Sequence, residues 1–253
     1  MKRSVHLKKY EVFLSISFYF ISSIAFARDD PKELLVFAGV GMRLPLNEVG
    51  KNFERKYGVK VLYDYGGSGR LGNKILVGQT PDIFIPGSDK WSKILKKKGY
   101  VKECTPVAYH TPVIITPKGN RKVNSLGDFL DCNNGLVLGD DRACAIGGVS
   151  AAILKKAGLD VSKMNIRAKG HSVKQLVIWI EANNADASIV WKVDAVQSGR
   201  VRIVHIAGQC DFKSIIPACQ MRKHKKETLE YVRYLLSAEG KDIFREHGFE
   251  VVE

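Results

Sequence analysis

The chain has 253 residues, 45% of them hydrophobic and 26% charged, with a formal net charge of +14. That composition excludes a disordered or collagen-like chain and leaves room for two modest hydrophobic cores. The basic balance suits an anionic partner or a membrane surface. The basic groups are spread along the chain, which in an exported protein argues against a nucleic-acid partner, and runs such as 96–98 and 222–226 read as solvated helix face.

Residues 1–27 read as an export leader. Lys2, Arg3, Lys8 and Lys9 give a basic start, an apolar run fills 12–24, and Ala25-Phe26-Ala27 has the small-residue pattern at which such leaders are cut. The run falls short of the ~20 residues that a membrane span needs. A soluble periplasmic chain from Arg28 to Glu253 is expected, with no cysteine at the cut to take a lipid. Without the leader's four basic groups and one acid its charge is about +11. Five cysteines follow: Cys104, Cys132, Cys144, Cys210 and Cys219. Export permits disulfides, and an odd count leaves at least one thiol unpaired. Cys104 with Cys132 and Cys210 with Cys219 are plausible pairs, although spacing does not fix connectivity; Cys144 would then be free.

Residues 33–38 (ELLVFA) form a short buried strand. GVGMRLP follows, then a helix with Leu46, Val49, Phe53 and Tyr57 on one face, Pro45 in its first turn and Gly58 at its end. Val59, Val61, Tyr63 and Tyr65 alternate as a strand, and Gly66, Gly67 and Gly69 turn it into a helix starting near Arg70 and closing at Gly78. A strand at 82–85, the turn PGSDKW and a basic helix ending at Gly99 complete a β-α-β-α-β-α run, the pattern of a parallel sheet with helices on both faces. An extended run at 107–116 leads through a turn at 117–120 and a short helix near 126–130 to a strand at 135–138. GDDRACAIGG then opens a helix at 149–157. A strand at 164–168 ends in KGHS, where Ser172 suits the cap of a helix at 173–182. Strands at 187–191 and 201–207 follow, the second long enough to cross between lobes, then the stretch 215–221. A single helix over 226–246 is expected to turn Leu229, Val232, Leu236 and Phe244 inward.

Four strand-to-helix turns stand out: GVGMR, GGSGR, ACAIGG and KGHSV. Helix starts carry unpaired N–H groups and partial positive charge, so each is an anion site in the making. Ligands of open α/β sheets bind outside the carboxyl ends of the strands, where such turns gather. Two turns lie in the first half and two in the middle, so a cleft between two lobes is the natural way to bring them together.

LLVFAGVGMR, GVKVLYDYGGSGRLGNKI, PDIFIPGSDKW, IVWKVDAV and the closing HGF (His247 to Phe249) fall in an order and spacing that resembles the periplasmic molybdate/tungstate-binding proteins of ABC importers, over nearly the whole exported chain. The resemblance implies an α/β, two-lobed, type II Venus-flytrap fold, each lobe a mostly parallel sheet flanked by helices, with 28–107 and 206–253 in one lobe and 108–205 in the other. It implies a monomeric binding protein rather than an enzyme, with no cofactor, that passes its guest to a permease and its ATPase. It further implies that a tetrahedral oxyanion is held by neutral donors. The first serine of that family falls on Gly41, so only the amides of Gly41 and Met42 remain there. The second falls on Ser68, beside Gly69. The third turn falls on Ala145 and Ile146, the fourth contact on the amide of Val173, and a tyrosine of the family falls on Trp191.

Beside the resemblance, a doubly charged anion in a dry cleft calls for donors only. Arg43, Arg70 and Arg142 adjoin three of the turns, either as charge-assisted donors or as a rim that steers anions inward. Cys144 reads as a packing thiol rather than a ligand. A metal-ion receptor built on Asp140, Asp141 and Cys144 is the rival within the binding class. Gly67-Ser68-Gly69-Arg70-Leu71-Gly72 also matches the dinucleotide pattern, but in the second β-α unit of an exported chain. G-x-S-x-G fails because Arg70 stands where glycine is needed.

Overall fold

The computed structural model describes residues 32–207 and 212–253. The leader and Cys210 lie outside these residues. Among the described residues no helix is long and apolar enough to cross a membrane.

The chain starts β1 (Lys32–Gly39), α1 (Arg43–Tyr57), β2 (Val59–Gly66), α2 (Ser68–Leu76), β3 (Ile83–Ile85), α3 (Asp89–Lys97) and β4 (Val101–His110). It continues through β5 (Pro112–Pro117), β6 (Leu136–Gly139), α4 (Ala145–Lys156), β7 (Ile166–Gly170), α5 (Val173–Glu181), β8 (Ser188–Trp191), α6 (Lys192–Ser198) and β9 (Val201–Val204). It then returns through β10 (Ser214–Met221), α7 (Thr228–Leu236), α8 (Ala238–Glu246) and β11 (Glu250–Val251).

One six-stranded sheet has the order β11-β4-β10-β3-β1-β2. β1 runs parallel to β2 and β3, as helical crossovers require. β10, β4 and β11 pair antiparallel, because they belong to the outgoing and returning chain rather than to β-α-β units. The sheet is therefore mixed, with its parallel half at the amino end. Successive β1 side chains point to opposite faces: Leu34, Val36 and Ala38 join Leu46, Val49 and Phe53 of α1 and Tyr231 and Phe244 of the last two helices. Phe37 joins Leu71 and Ile75 of α2 and Trp91 and Leu95 of α3 on the other face. In two smaller sheets β5 lies antiparallel between β8 and β9, and β6 runs parallel to β7. A bridge from Leu136 to Ala187 ties β6 to the run before β8.

Four expectations need correction. The helix expected over 226–246 is two: Ser237 breaks it and caps α8 by accepting from the Gly240 N–H at 3.2 Å, and Leu229 is exposed. The extended run over 107–116 is two strands divided at Thr111, one in each sheet. α4 starts at Ala145, four residues before the expected 149, and α6 was not expected at all. Cys104 pairs with Cys219 rather than with Cys132, because β4 and β10 are neighbours with these two residues in register; Cys132 and Cys144 are free and buried.

Candidate functional site

The turns that follow β1, β2, β3, β6 and β7 converge, and together they line one small cavity of about 20 Å³. The turn after β1 contributes Gly39 to Met42, and the turn after β2 contributes Gly66, Gly67 and Ser68. Gly87 follows β3, Cys144 to Ile146 open α4, and Val173 opens α5. Trp191, at the end of β8, and His110, at the end of β4, close the walls.

Of the residues singled out in the sequence, Gly41, Met42, Ser68, Ala145, Ile146, Val173 and Trp191 line this cavity together. Gly69 does not: its N–H donates to the Ala143 carbonyl oxygen at 2.8 Å. Arg43 lies over the Tyr65 ring, 5.1 Å from its centroid. Arg70 donates to the Tyr65 carbonyl at 2.8 Å and pairs with Asp64, and Arg142 points to solvent. The three arginines flank the cleft and do not line the cavity.

The local chemistry of this place is one that negative charge would suit. Neither α2 nor α4 has a side-chain cap; the Gly69 and Arg70 N–H groups of α2 go to the Ala143 carbonyl and the Gly147 N–H of α4 to the Cys144 carbonyl, while Ser68, Ala145 and Ile146, which open the two helices, line the cavity. Their dipoles add positive potential at the same point. Ser68 is buried, and its hydroxyl oxygen accepts from the Gly87 N–H at 3.0 Å. That bond uses a lone pair and leaves the hydroxyl hydrogen to donate elsewhere.

Asp140, Asp141 and Cys144 do not gather as metal ligands. The Asp140 carboxylate accepts from the N–H groups of Arg142 and Ala143, which holds its pKa below the usual carboxylate range, and so serves the turn. The Asp141 carbonyl takes Lys90 Nζ at 2.8 Å, and the Cys144 thiol donates to the Gly170 carbonyl. Burial pushes that thiol up to about 11, so it is not a thiolate. Among the described residues no three His, Cys, Asp or Glu side chains form a metal-binding group.

Two residues were missed. His110 is buried and stacks on Trp191, ring centroids 4.6 Å apart, with Phe249 tilted at 5.4 Å. Burial, with a smaller push from the Lys174 charge, lowers it to about 3, so the ring is neutral. Asp194, in α6, is fully buried, with Lys174 Nζ 2.9 Å from Oδ1. A Cβ built on Gly41 would lie 3.0 Å from Asp194 Oδ2, so the two are packed directly together. Asp194 faces a neighbouring cavity, shared with Arg43 and Arg200, and no carboxylate lines the cavity of the converging turns. A lone histidine in an apolar run and a lone aspartate after a strand carry no spacing signal; only the fold brings them here.

The chain is 28% identical over 256 residues to the putative ABC transporter substrate-binding lipoprotein YvgL of Bacillus subtilis, covering 96% of this chain and 98% of that protein. It is 24% identical to the molybdate-binding protein ModA of Escherichia coli, over 88% of this chain and 90% of that one. The periplasmic molybdate-binding protein of Azotobacter vinelandii superposes with a TM-score of 0.72 at 17% identity, over 87% of this chain and all of that one. The shared architecture is the two-lobed, type II periplasmic-binding-protein fold. Residues 34–250 match the bacterial extracellular solute-binding protein family, and this chain belongs to it.

Proposed function

We propose that this chain is an exported binding protein, not an enzyme, that captures a small tetrahedral oxyanion, molybdate or tungstate, and delivers it to an ABC permease and its ATPase. The observation that carries this reading is the meeting of uncapped helix starts and the Ser68 hydroxyl around one small cavity that no carboxylate lines. Such a donor set suits the oxygens of a dianion and opposes none of them with negative charge. The cavity is far below the several hundred Å³ of sites that hold sugars or nucleotides, which supports an inorganic guest. The names of the molybdate-binding relatives point the same way. We place the two lobes at 28–110 with 206–253 and at 112–205, crossing at Thr111, three residues beyond the boundary that the sequence favours. The guest would then sit between halves that close by hinge motion. Residues 1–27 would direct export and be removed, and the chain would work as a monomer in the periplasm.

Trp191 lines the cavity, so tryptophan fluorescence reports its occupancy. Titration with molybdate, tungstate, sulfate, phosphate and divalent metals is expected to show saturable oxyanion binding that EDTA leaves unchanged. Ser68→Ala is expected to weaken it by roughly tenfold or more, the worth of one hydrogen bond to a charged guest. Saturation by a metal alone, abolished by EDTA, would overturn the reading.

A further inference from the structure

His110 is the polar side chain at the cavity that the functional reading above does not use. It forms no hydrogen bond with any described residue, and Nδ1 is sealed from solvent without a partner. A buried neutral imidazole still carries one N–H and one lone pair, and leaving both unpaired is costly. Nε2 is the atom turned toward the cavity: a methyl group built on Gly87 would lie 3.8 Å from it and 3.8 Å from Ser68 Oγ, so both atoms flank the same point. The ring is fixed by stacking on Trp191 and by Phe249, which leaves it little freedom to swing elsewhere. Gly41, which also lines the cavity, has no side chain, and a Cβ there would press on Asp194.

The geometry points to His110 as a guest-binding residue whose Nε2–H donates to the bound oxyanion alongside the Ser68 hydroxyl. This rests on the oxyanion reading of the cavity. The Nε2–H tautomer follows from the surroundings, since a bare lone pair at Nε2 would face the anion's negative oxygens. The buried Nδ1 then carries the unpaired lone pair, the less demanding of the two groups to leave alone, since it exposes no N–H. With its proton affinity held down by burial, the ring adds a donor without adding a charge. A guest that itself carries a proton finds no acceptor from this residue, so fully ionised oxyanions are favoured over hydrogen phosphate.

The test is isothermal titration with sodium molybdate, sodium sulfate and sodium phosphate of the wild type and of His110→Phe, His110→Gln and Ser68→Ala, with thermal melts of each. Phenylalanine keeps the ring stacked on Trp191 and removes the donor; it is expected to weaken binding roughly 10- to 100-fold with little change in melting. Glutamine, which restores an N–H near the same place, is expected to recover part of that loss. In the wild type, an imidazole proton–nitrogen correlation spectrum is expected to show His110 as the Nε2–H tautomer, with that proton moving downfield on adding the anion. Binding by His110→Phe within twofold of wild type, while Ser68→Ala is weakened, would overturn this inference and leave the oxyanion reading intact. A bare Nε2 in the complex would overturn it even if the variants fail to fold. A wild type that binds none of the three anions would overturn the oxyanion reading itself.

Discussion

Adding one methyl group at Gly69 should weaken guest binding without weakening the fold. The start of α2 lies against the loop between β6 and α4: the Gly69 N–H donates to the Ala143 carbonyl oxygen at 2.8 Å and the Arg70 N–H to the same oxygen at 3.3 Å. A Cβ at Gly69 would overlap the Arg142 carbonyl group, and one at Gly67 would overlap the carbonyl oxygens of His171 and Ala143. These obstacles are backbone, so no side chain can swing aside. Gly69→Ala is accommodated by moving the loop away from α2; on the two-lobed division proposed above, this parts the halves that close around the guest. The two hydrogen bonds lost are worth about 0.5–1.5 kcal/mol each, so closure becomes about 1–3 kcal/mol harder and apparent affinity falls about 5- to 150-fold. Alanine inside a helix is, if anything, better by up to about 1 kcal/mol, so the melting temperature should hold or rise. Titration calorimetry with molybdate and small-angle scattering with and without it read the two effects. A Gly69→Ala protein that binds and compacts like wild type would refute the reasoning.

Stability should depend on pH through His110. Its folded value of about 3 lies below the ordinary 6.5, so the unfolded chain takes up the proton first. Stability is therefore unaffected above 6.5 and is lost as pH falls toward 3, by about 2 kcal/mol at pH 5. Urea melts at pH 7 and pH 5 should show that loss in wild type and not in His110→Phe. Lys174→Met leaves the Asp194 carboxylate, which burial already makes harder to ionise, without its cation. A loss of about 3 kcal/mol is expected, at the low end for a buried pair because Lys174 is partly exposed, and Asp194→Asn in the same chain should restore most of it. Reducing Cys104–Cys219, which spans 115 residues, should lower stability by about 2–5 kcal/mol, measured as a fall in the melting temperature with dithiothreitol.

Much of the fold is legible because its strands and turns obey short-range rules. The alternation over residues 59–65 becomes β2, Val59–Gly66, and the glycines after it become the turn into α2. The helix over 226–246 misleads because its apolar spacing continues through Ser237, and a cap in mid-pattern looks like one more polar residue. The first half of β4, VKECTP, has no apolar alternation, and its strand character comes from pairing with β10. Disulfide pairing follows strand register, which spacing along the chain does not encode. At the cavity, glycine and serine turns announce themselves, whereas His110 and Asp194 enter only by three-dimensional placement. Gly69 shows the converse: its amide has the right sequence context and another partner.

The position of the charges separates two tasks that the sequence runs together. An arginine inside so small a cavity would hold a dianion through full charge, and its own desolvation would have to be met whenever the guest left. Arg43, Arg70 and Arg142 instead stand outside, two of them against Tyr65 and Asp64 and one in solvent. On the proposed reading they would raise the local concentration of anions from there, through a field that salt screens, without fixing any oxygen. On the proposed oxyanion reading, fixing the oxygens falls to groups without net charge: helix amides, the Ser68 hydroxyl and, on the inference above, the His110 N–H. A carrier must release what it catches, and this division lets the rate of capture and the strength of grip be set by different residues.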